Sequence, residues 1–213
     1  MELKIDMKNY QSPYKNNIIK CASLLQPHQM RNEYLIYLKQ NLIDKFVNKC
    51  YQNYGFISKI YKILEDEECK LEDENVSGSA KIKMKIVCKI CLPTLNKEII
   101  CKIKILNKEL YKGVNGPIIF IIEGGNIEHD NFYVDMNRDI RISKTSKKLM
   151  PDTYVRVLIE TLKISDNEKN IIAEGKLLSI ATDDEIKLFH SELNEDLIND
   201  GNVDEFIKNE NFD

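Results

Sequence analysis

Between Ala80 and Leu92, lysines and apolar residues change places with a period of two. Ile82, Met84, Ile86, Cys88, Ile90 and Leu92 share one parity, and Lys81, Lys83, Lys85 and Lys89 share the other with Val87 and Cys91. A helix would scatter those lysines around its circumference, whereas a strand sends successive side chains to opposite faces. The segment therefore reads as a long β-strand with one buried face. Pro93 ends it, because proline has no N–H to give to a ladder. The lysine face fits either the wet side of a half-covered sheet or a docking surface. The Cys-x-x-C at its end does not read as a zinc knuckle. Cys88 and Cys91, three apart on a strand, point to opposite faces; no second Cys-x-x-C follows, and His28, His129 and His190 are scattered. No metal and no cofactor is assigned.

The residues before this strand build an α+β unit. Residues 1–16 are polar and read as a flexible N-terminal extension. Asn17–Leu25 is a first strand, and Pro27 punctuates the connector after it. From Arg31 to Tyr51, Leu35, Leu38, Leu42, Phe46 and Cys50 recur at spacings of three and four, flanked by Ile43 and Val47, which predicts one amphipathic helix. Asn53 and Gly55 stop it. A strand over Phe56–Leu64 and an acidic loop over Glu65–Ser79 lead back to the lysine strand. Residues 17–94 are thus a small sheet with one helix packed on it.

After Pro93 the pattern becomes all-β. Strands are predicted at Lys97–Leu106, Gly116–Gly125, Asn131–Met136, Tyr154–Ile164 and Asn170–Thr182, the last two as a hairpin. Five strands in about 85 residues, with no strong helix, fit a five-stranded barrel of the oligonucleotide-binding (OB) type over residues 95–182. Residues 183–213 hold 11 acidic and 2 basic residues and read as an acidic tail, a weak helix or disordered. They leave 29 basic and 23 acidic residues in the body, so the net charge of −3 hides a mildly basic body.

A chain of 213 residues, 43% hydrophobic, can bury a core. No apolar run reaches the roughly 18 residues that would span a bilayer, and the first residues lack the apolar segment of a signal peptide. Six cysteines without a compact framework fit a reducing, intracellular compartment. No phosphate-binding glycine loop, Gly-x-Ser-x-Gly or His-Glu-x-x-His is present, so no catalytic residue is assigned. What remains is a basic barrel. Lys102, Lys104, Arg138, Arg141, Lys144, Lys147, Lys148 and Arg156 lie on it beside Tyr133, the residue types that hold single strands by phosphate contact and stacking. Parity alone leaves open whether Phe132 or Tyr133 points inward.

Several short stretches come in a telling order: "LQP" at Leu25–Pro27, "YLIYLKQNL" in the helix, "YGFI" at Tyr54–Ile57, "SGSA" at Ser77–Ala80, "MPDTYVRVLI" entering the fourth barrel strand and "EGKLLSI" in the last. In this order the chain resembles the seventh-largest subunit of RNA polymerase II, with its archaeal (E-prime) and large-DNA-virus counterparts. The resemblance covers residues 17–182. It implies a ribonucleoprotein-like tip domain followed by an S1-like OB barrel, and a non-catalytic stalk subunit of a DNA-directed RNA polymerase acting in transcription initiation. The tip would dock on the polymerase core through the family-like positions Leu25, Pro27, Tyr54, Gly55, Ser77 and Gly78. The barrel would contact nascent RNA. A partner resembling the fourth polymerase subunit is implied, and no membrane. The place would be a viral factory or virion for a virus, the nucleus for a cell. In the family the tip loop is rich in Gly and Pro; here it is acidic. The competing readings are a free-standing single-stranded-RNA-binding protein, such as a translation factor, and an enzyme whose clustered site the sequence does not show.

Overall fold

The computed structural model describes residues 9–71, 78–105 and 110–194, with the side chains of 65–71 and 105 left aside. Ser77 lies outside the described residues. The chain divides into two compact units. Residues 15–49 and 56–91 belong to one, and residues 9–14, 50–55 and 92–194 belong to the other.

The first unit is a sheet with a helix. In it β1 (Tyr14–Leu25), β3 (Gly55–Leu71) and β4 (Ala80–Cys91) lie in the order β1-β4-β3, whereas β2 (Lys49–Tyr51) has two of its three residues, Cys50 and Tyr51, in the second unit. β4 is the lysine strand. Its apolar parity is buried as expected, since Ile82, Met84, Ile86, Cys88 and Ile90 are all 2% exposed or less. The lysine face is wet only as far as Lys85. Beyond it Val87 packs with Tyr61, Ile18 and Leu64, so the strand ends covered on both sides. That is why Cys88 and Cys91 are both wholly buried although they are three apart. The acidic stretch after Leu64 is not all loop: β3 continues to Leu71 and pairs with β4 up to Leu71↔Ala80.

α1 (Tyr34–Phe46) is shorter than its apolar stripe. Leu38 and Leu42 are wholly buried, each contributing roughly 1.5–3 kcal/mol, whereas Leu35 is 52% exposed and Cys50 sits in β2. The helix stops because Asn48 takes a left-handed conformation, φ 60°. Lys49 Nζ donates to the last carbonyls, Asp44 O at 2.8 Å and Lys45 O at 3.1 Å. Asn41 and Lys45 tether the helix to β1, donating to Leu24 O and Ala22 O at 3.0 and 2.9 Å.

The second unit is a closed barrel of β5 (Glu98–Ile105), β6 (Leu110–Asn115), β7 (Ile118–Glu123), β10 (Tyr154–Lys163) and β11 (Ile171–Ile180), with β8 (Phe132–Val134) and β9 (Ile140–Ile142) forming a separate hairpin. The order runs β5-β6-β7-β11-β10 and back to β5. Every contact is antiparallel except β7 with β11, which is parallel. This is the five-stranded OB barrel expected from the sequence, with one member exchanged. The stretch Asn131–Met136 is not a barrel strand; Leu110–Asn115 takes that place. Period-two burial is clearest on β6 and β7, with Ile118, Phe120 and Ile122 inside on β7; on β5 Ile99, Cys101 and Ile103 are inside, and Ile100 on the opposite face is buried as well, packed with α2. Gly175 on β11 faces the β10 backbone so closely that a Cβ there would meet the Val157 side chain and come within 2.7 Å of Leu158 O.

Two further differences follow from hydrogen bonding. Residues 50–55 leave the first unit because they pair with the β10–β11 turn: Cys50 N–H donates to Glu168 O at 2.8 Å, Asn167 N–H to Cys50 O at 2.9 Å, and Gln52 N–H to Asp166 Oδ1 at 2.8 Å. Residues 9–14, expected as part of a flexible extension, are placed. Glu98 N–H donates to Asn9 O at 3.2 Å, Leu92 N–H to Pro13 O at 2.7 Å, and the Tyr14 hydroxyl to buried Asn115 Oδ1 at 3.0 Å. The start of the acidic tail is α2 (Asp183–Asn194), whose Phe189 packs with Ile100 and Ala181.

Candidate nucleic-acid interface

The segment between β7 and β10 carries most of the sequence-predicted RNA contacts. Its underside is apolar: Phe132, Ile140 and Leu149 are wholly buried. Tyr111, inside the barrel on β6, accepts a hydrogen bond from Ile140 N–H at 3.0 Å, and Asn131 Nδ2 donates to Leu178 O on β11 at 2.9 Å. These bonds fix the hairpin on the barrel. Since Phe132 points inward, its neighbour Tyr133 points outward and is 37% exposed. The structure thus settles the alternative that parity left open.

Across the hairpin Tyr133 pairs with Arg141. The guanidinium is held by two acceptors, Asp135 Oδ2 at 2.6 Å and Ser146 O at 3.0 Å. Asp135 in turn organises the tip: its Oδ1 accepts from Asn137 N–H at 2.8 Å and Asp139 N–H at 3.0 Å. The Arg141 bond first, and the Asp139 N–H next, hold the Asp135 carboxyl below the usual carboxylate range. Lys148 is paired with Asp139 at 2.8 Å, and that bond keeps its ammonium above the usual lysine value. Lys144 and Lys147 are exposed and have no ion-pair partner among the described residues. Arg138 sits exposed at the tip with φ 62°.

The other predicted contacts lie elsewhere. Lys102 on β5 is paired with Asp152 at 2.9 Å and stands 5.8 Å from the Tyr154 ring. Lys104 is exposed and lies opposite Lys112 of β6. Arg156 departs from the expectation. Half-buried on β10, its guanidinium faces Glu98 at 3.4 Å and bonds Glu185 of α2, a carboxylate with 1% of its side chain exposed. It holds α2 on the barrel. Sequence reasoning does not single out Glu185, although Thr182-x-x-Glu185 spells a capping box. Thr182 N–H donates to Glu185 Oε2 at 2.8 Å, and Glu185 N–H to Thr182 Oγ1 at 3.4 Å.

The expected core-docking residues divide between the units. Tyr54 and Gly55 belong to the barrel unit. In the sheet unit Leu25 is buried, Pro27 is exposed, and Gly78 takes φ 66° beside it, so that a Cβ there would lie 3.6 Å from Pro27 Cγ. Next to them opens a largely apolar cleft of about 460 Å³ lined by Leu25, Met30, Tyr34, Ala80 and Ile82, with Arg31 and Asn32 also in its wall. The neighbouring α1 residues Leu35 and Ile36 are 52% and 66% exposed.

Among the described residues no cluster of three or more His, Cys, Asp or Glu side chains is arranged to hold a metal. The thiol of Cys88 donates to Asn17 O at 3.5 Å, and burial pushes it up to about 12. No described helix is long and apolar enough to cross a membrane.

Comparison with known proteins places this geometry. The family model described as "SHS2 domain found in N terminus of Rpb7p/Rpc25p/MJ0397" matches residues 24–79, from the end of β1 through α1 and β3. A protein of Acanthamoeba polyphaga mimivirus, named "Putative DNA-directed RNA polymerase subunit L376", is 34% identical over 195 residues, covering 92% of this chain and 96% of its own. With a matching N-terminal domain, a barrel behind it, and identity that runs through both, the chain belongs to the family of Rpb7-type DNA-directed RNA polymerase subunits.

Proposed function

We propose that this protein is a non-catalytic stalk subunit of a multi-subunit DNA-directed RNA polymerase of a large DNA virus, acting in transcription initiation. The observation that carries this reading is the 34% identity to a mimivirus polymerase subunit along 92% of the chain. The sheet unit docks on the polymerase core. Its apolar cleft, with Pro27, Gly78 and the exposed Leu35 and Ile36, supplies the surface that such docking needs. A partner resembling the fourth polymerase subunit completes the stalk. The barrel faces nascent RNA, contacted by Lys104, Lys144 and Lys147 through phosphates and by the hairpin around Tyr133. The viral factory or the virion is where it works.

The reading is tested by tagging the full-length protein in cells that make the polymerase and purifying it gently. The largest polymerase subunits and one smaller stalk partner should co-purify at near-stoichiometric amounts. A well-behaved monomer that leaves every polymerase subunit behind would sink the stalk assignment.

A further inference from the structure

An exposed aromatic ring costs a folded protein nothing by itself, but a guanidinium immobilised beside it calls for an explanation. Tyr133 and Arg141 are cross-strand partners in a two-stranded ribbon, which brings their Cβ atoms within about 5.5 Å. Tyr133 is 37% exposed. A third of the Arg141 side chain is exposed too, 33%, while the Asp135 that grips it is 14% exposed. Asp135 and Ser146 O occupy the guanidinium along its edge, through Nε and Nη1. Hydrogen bonds made in the plane do not themselves occupy the flat faces of the group. The ribbon beneath is rigid, because Phe132, Ile140 and Leu149 are wholly buried and Ile140 N–H is bonded to Tyr111. Lys144 and Lys147 stand exposed in the connector that follows β9.

From this arrangement we infer that Tyr133 and Arg141 form a preorganised stacking platform for an unpaired nucleobase, with Asp135 positioning the guanidinium and Lys144 and Lys147 holding the flanking phosphates. Every base has a π-face, so the platform takes single-stranded RNA without reading its sequence. Charge complementarity favours RNA over an acidic peptide only when bases contribute. The inference rests on the RNA reading proposed above and adds where, and by which chemistry, a base is held.

The test uses the full-length protein and two single-stranded probes of equal length: an oligoadenylate and the same ribose-phosphate chain without bases. Wild type should bind the oligoadenylate more tightly. Tyr133→Ala should lose about tenfold on that probe, lose nothing on the abasic one, and leave the salt dependence unchanged, since no phosphate contact is removed. Tyr133→Phe should keep wild-type affinity. Arg141→Lys keeps the charge but not the flat face, and should weaken only the base-containing probe. Thermal melts guard against misfolding, and Tyr133→Phe keeps the inference testable if Arg141→Lys unfolds the ribbon. Equal binding of both probes by wild type, or equal losses on both by Tyr133→Ala, would overturn the platform while leaving phosphate contact by the barrel in place. Failure of wild type to bind either probe at low salt would overturn the platform and the RNA reading together. RNA binding unchanged in Tyr133→Ala, with a polymerase subunit lost from its pull-down, would reassign this face to a protein.

Discussion

Asp135 ties the tip of the hairpin together, because its two oxygens serve two ends of it. One binds backbone N–H groups of Asn137 and Asp139, and the other the Arg141 side chain. Its folded-state pKa is depressed, first by the Arg141 bond. A depressed carboxylate contributes stability that is fully present above the unfolded value, about 3.9, and is lost as pH falls through the folded value. Asp135→Asn should therefore melt below wild type at neutral pH, and the two melting curves should converge as the pH is taken below that range. A gap that stays constant down to strongly acidic pH would mean that charge plays no part in the Asp135 contacts. Nothing in the stretch "NFYVDMNRDIRIS" marks Asp135 as an organiser. Its role needs Arg141 six positions away and on the facing strand, a relation fixed by the hairpin register.

At the scale of elements, α2 and β6 show how a local pattern can be outweighed. α2 has few apolar residues and sits in an acidic run, so its sequence reads as a tail. What fixes it is tertiary: Phe189 packs with Ile100 and Ala181, the Tyr10 hydroxyl donates to Glu192, and Glu185 bonds Arg156. Glu185→Ala should lower stability by about 2 kcal/mol, less than the usual cost of breaking a buried pair, because Glu98 still faces Arg156. Glu185→Gln, which keeps the capping box, should lose less than Glu185→Ala. Denaturant melts of the three proteins decide, and equal stability of all three would show that the Glu185 contacts contribute nothing to the fold. β6 is hard to see in the sequence because Gly113 and the glycine at the following turn interrupt its pattern. Gly113 is small for a reason, since a Cβ there would come within 2.5 Å of Cys101 Sγ on β5. The stretch that the pattern favours in its place, Asn131–Met136, is only three residues of strand with one buried side chain, Phe132.

For the molecule as a whole, the charge that the net value conceals sets how it meets a polyanion. Replacing Lys144 and Lys147 together by alanine should weaken binding to all RNA sequences alike and reduce the salt slope by roughly 1 to 2, because each neutralised phosphate releases a counterion. Replacing Arg156 should leave that slope unchanged, since its charge is matched within the protein by Glu98 and Glu185. An unaltered slope after the lysine replacement would remove the connector that follows β9 from the RNA path. The sequence by itself determined most of the strands and their buried faces. Period-two alternation is a property of the backbone, and it placed the buried parity of β4 and the inward Cys101 and Ile103 of β5 without any knowledge of their neighbours. It also determined the succession of a sheet-and-helix unit and a barrel, and the lack of any apolar run long enough to span a bilayer. Only the tertiary structure decided which five strands close the barrel, where Cys50 and its neighbours belong, and which cations are matched by a carboxylate. Those outcomes depend on pairs of residues distant in sequence, such as Cys50 with Glu168 or Arg156 with Glu185, and one-dimensional periodicity carries no information about which distant segments will meet.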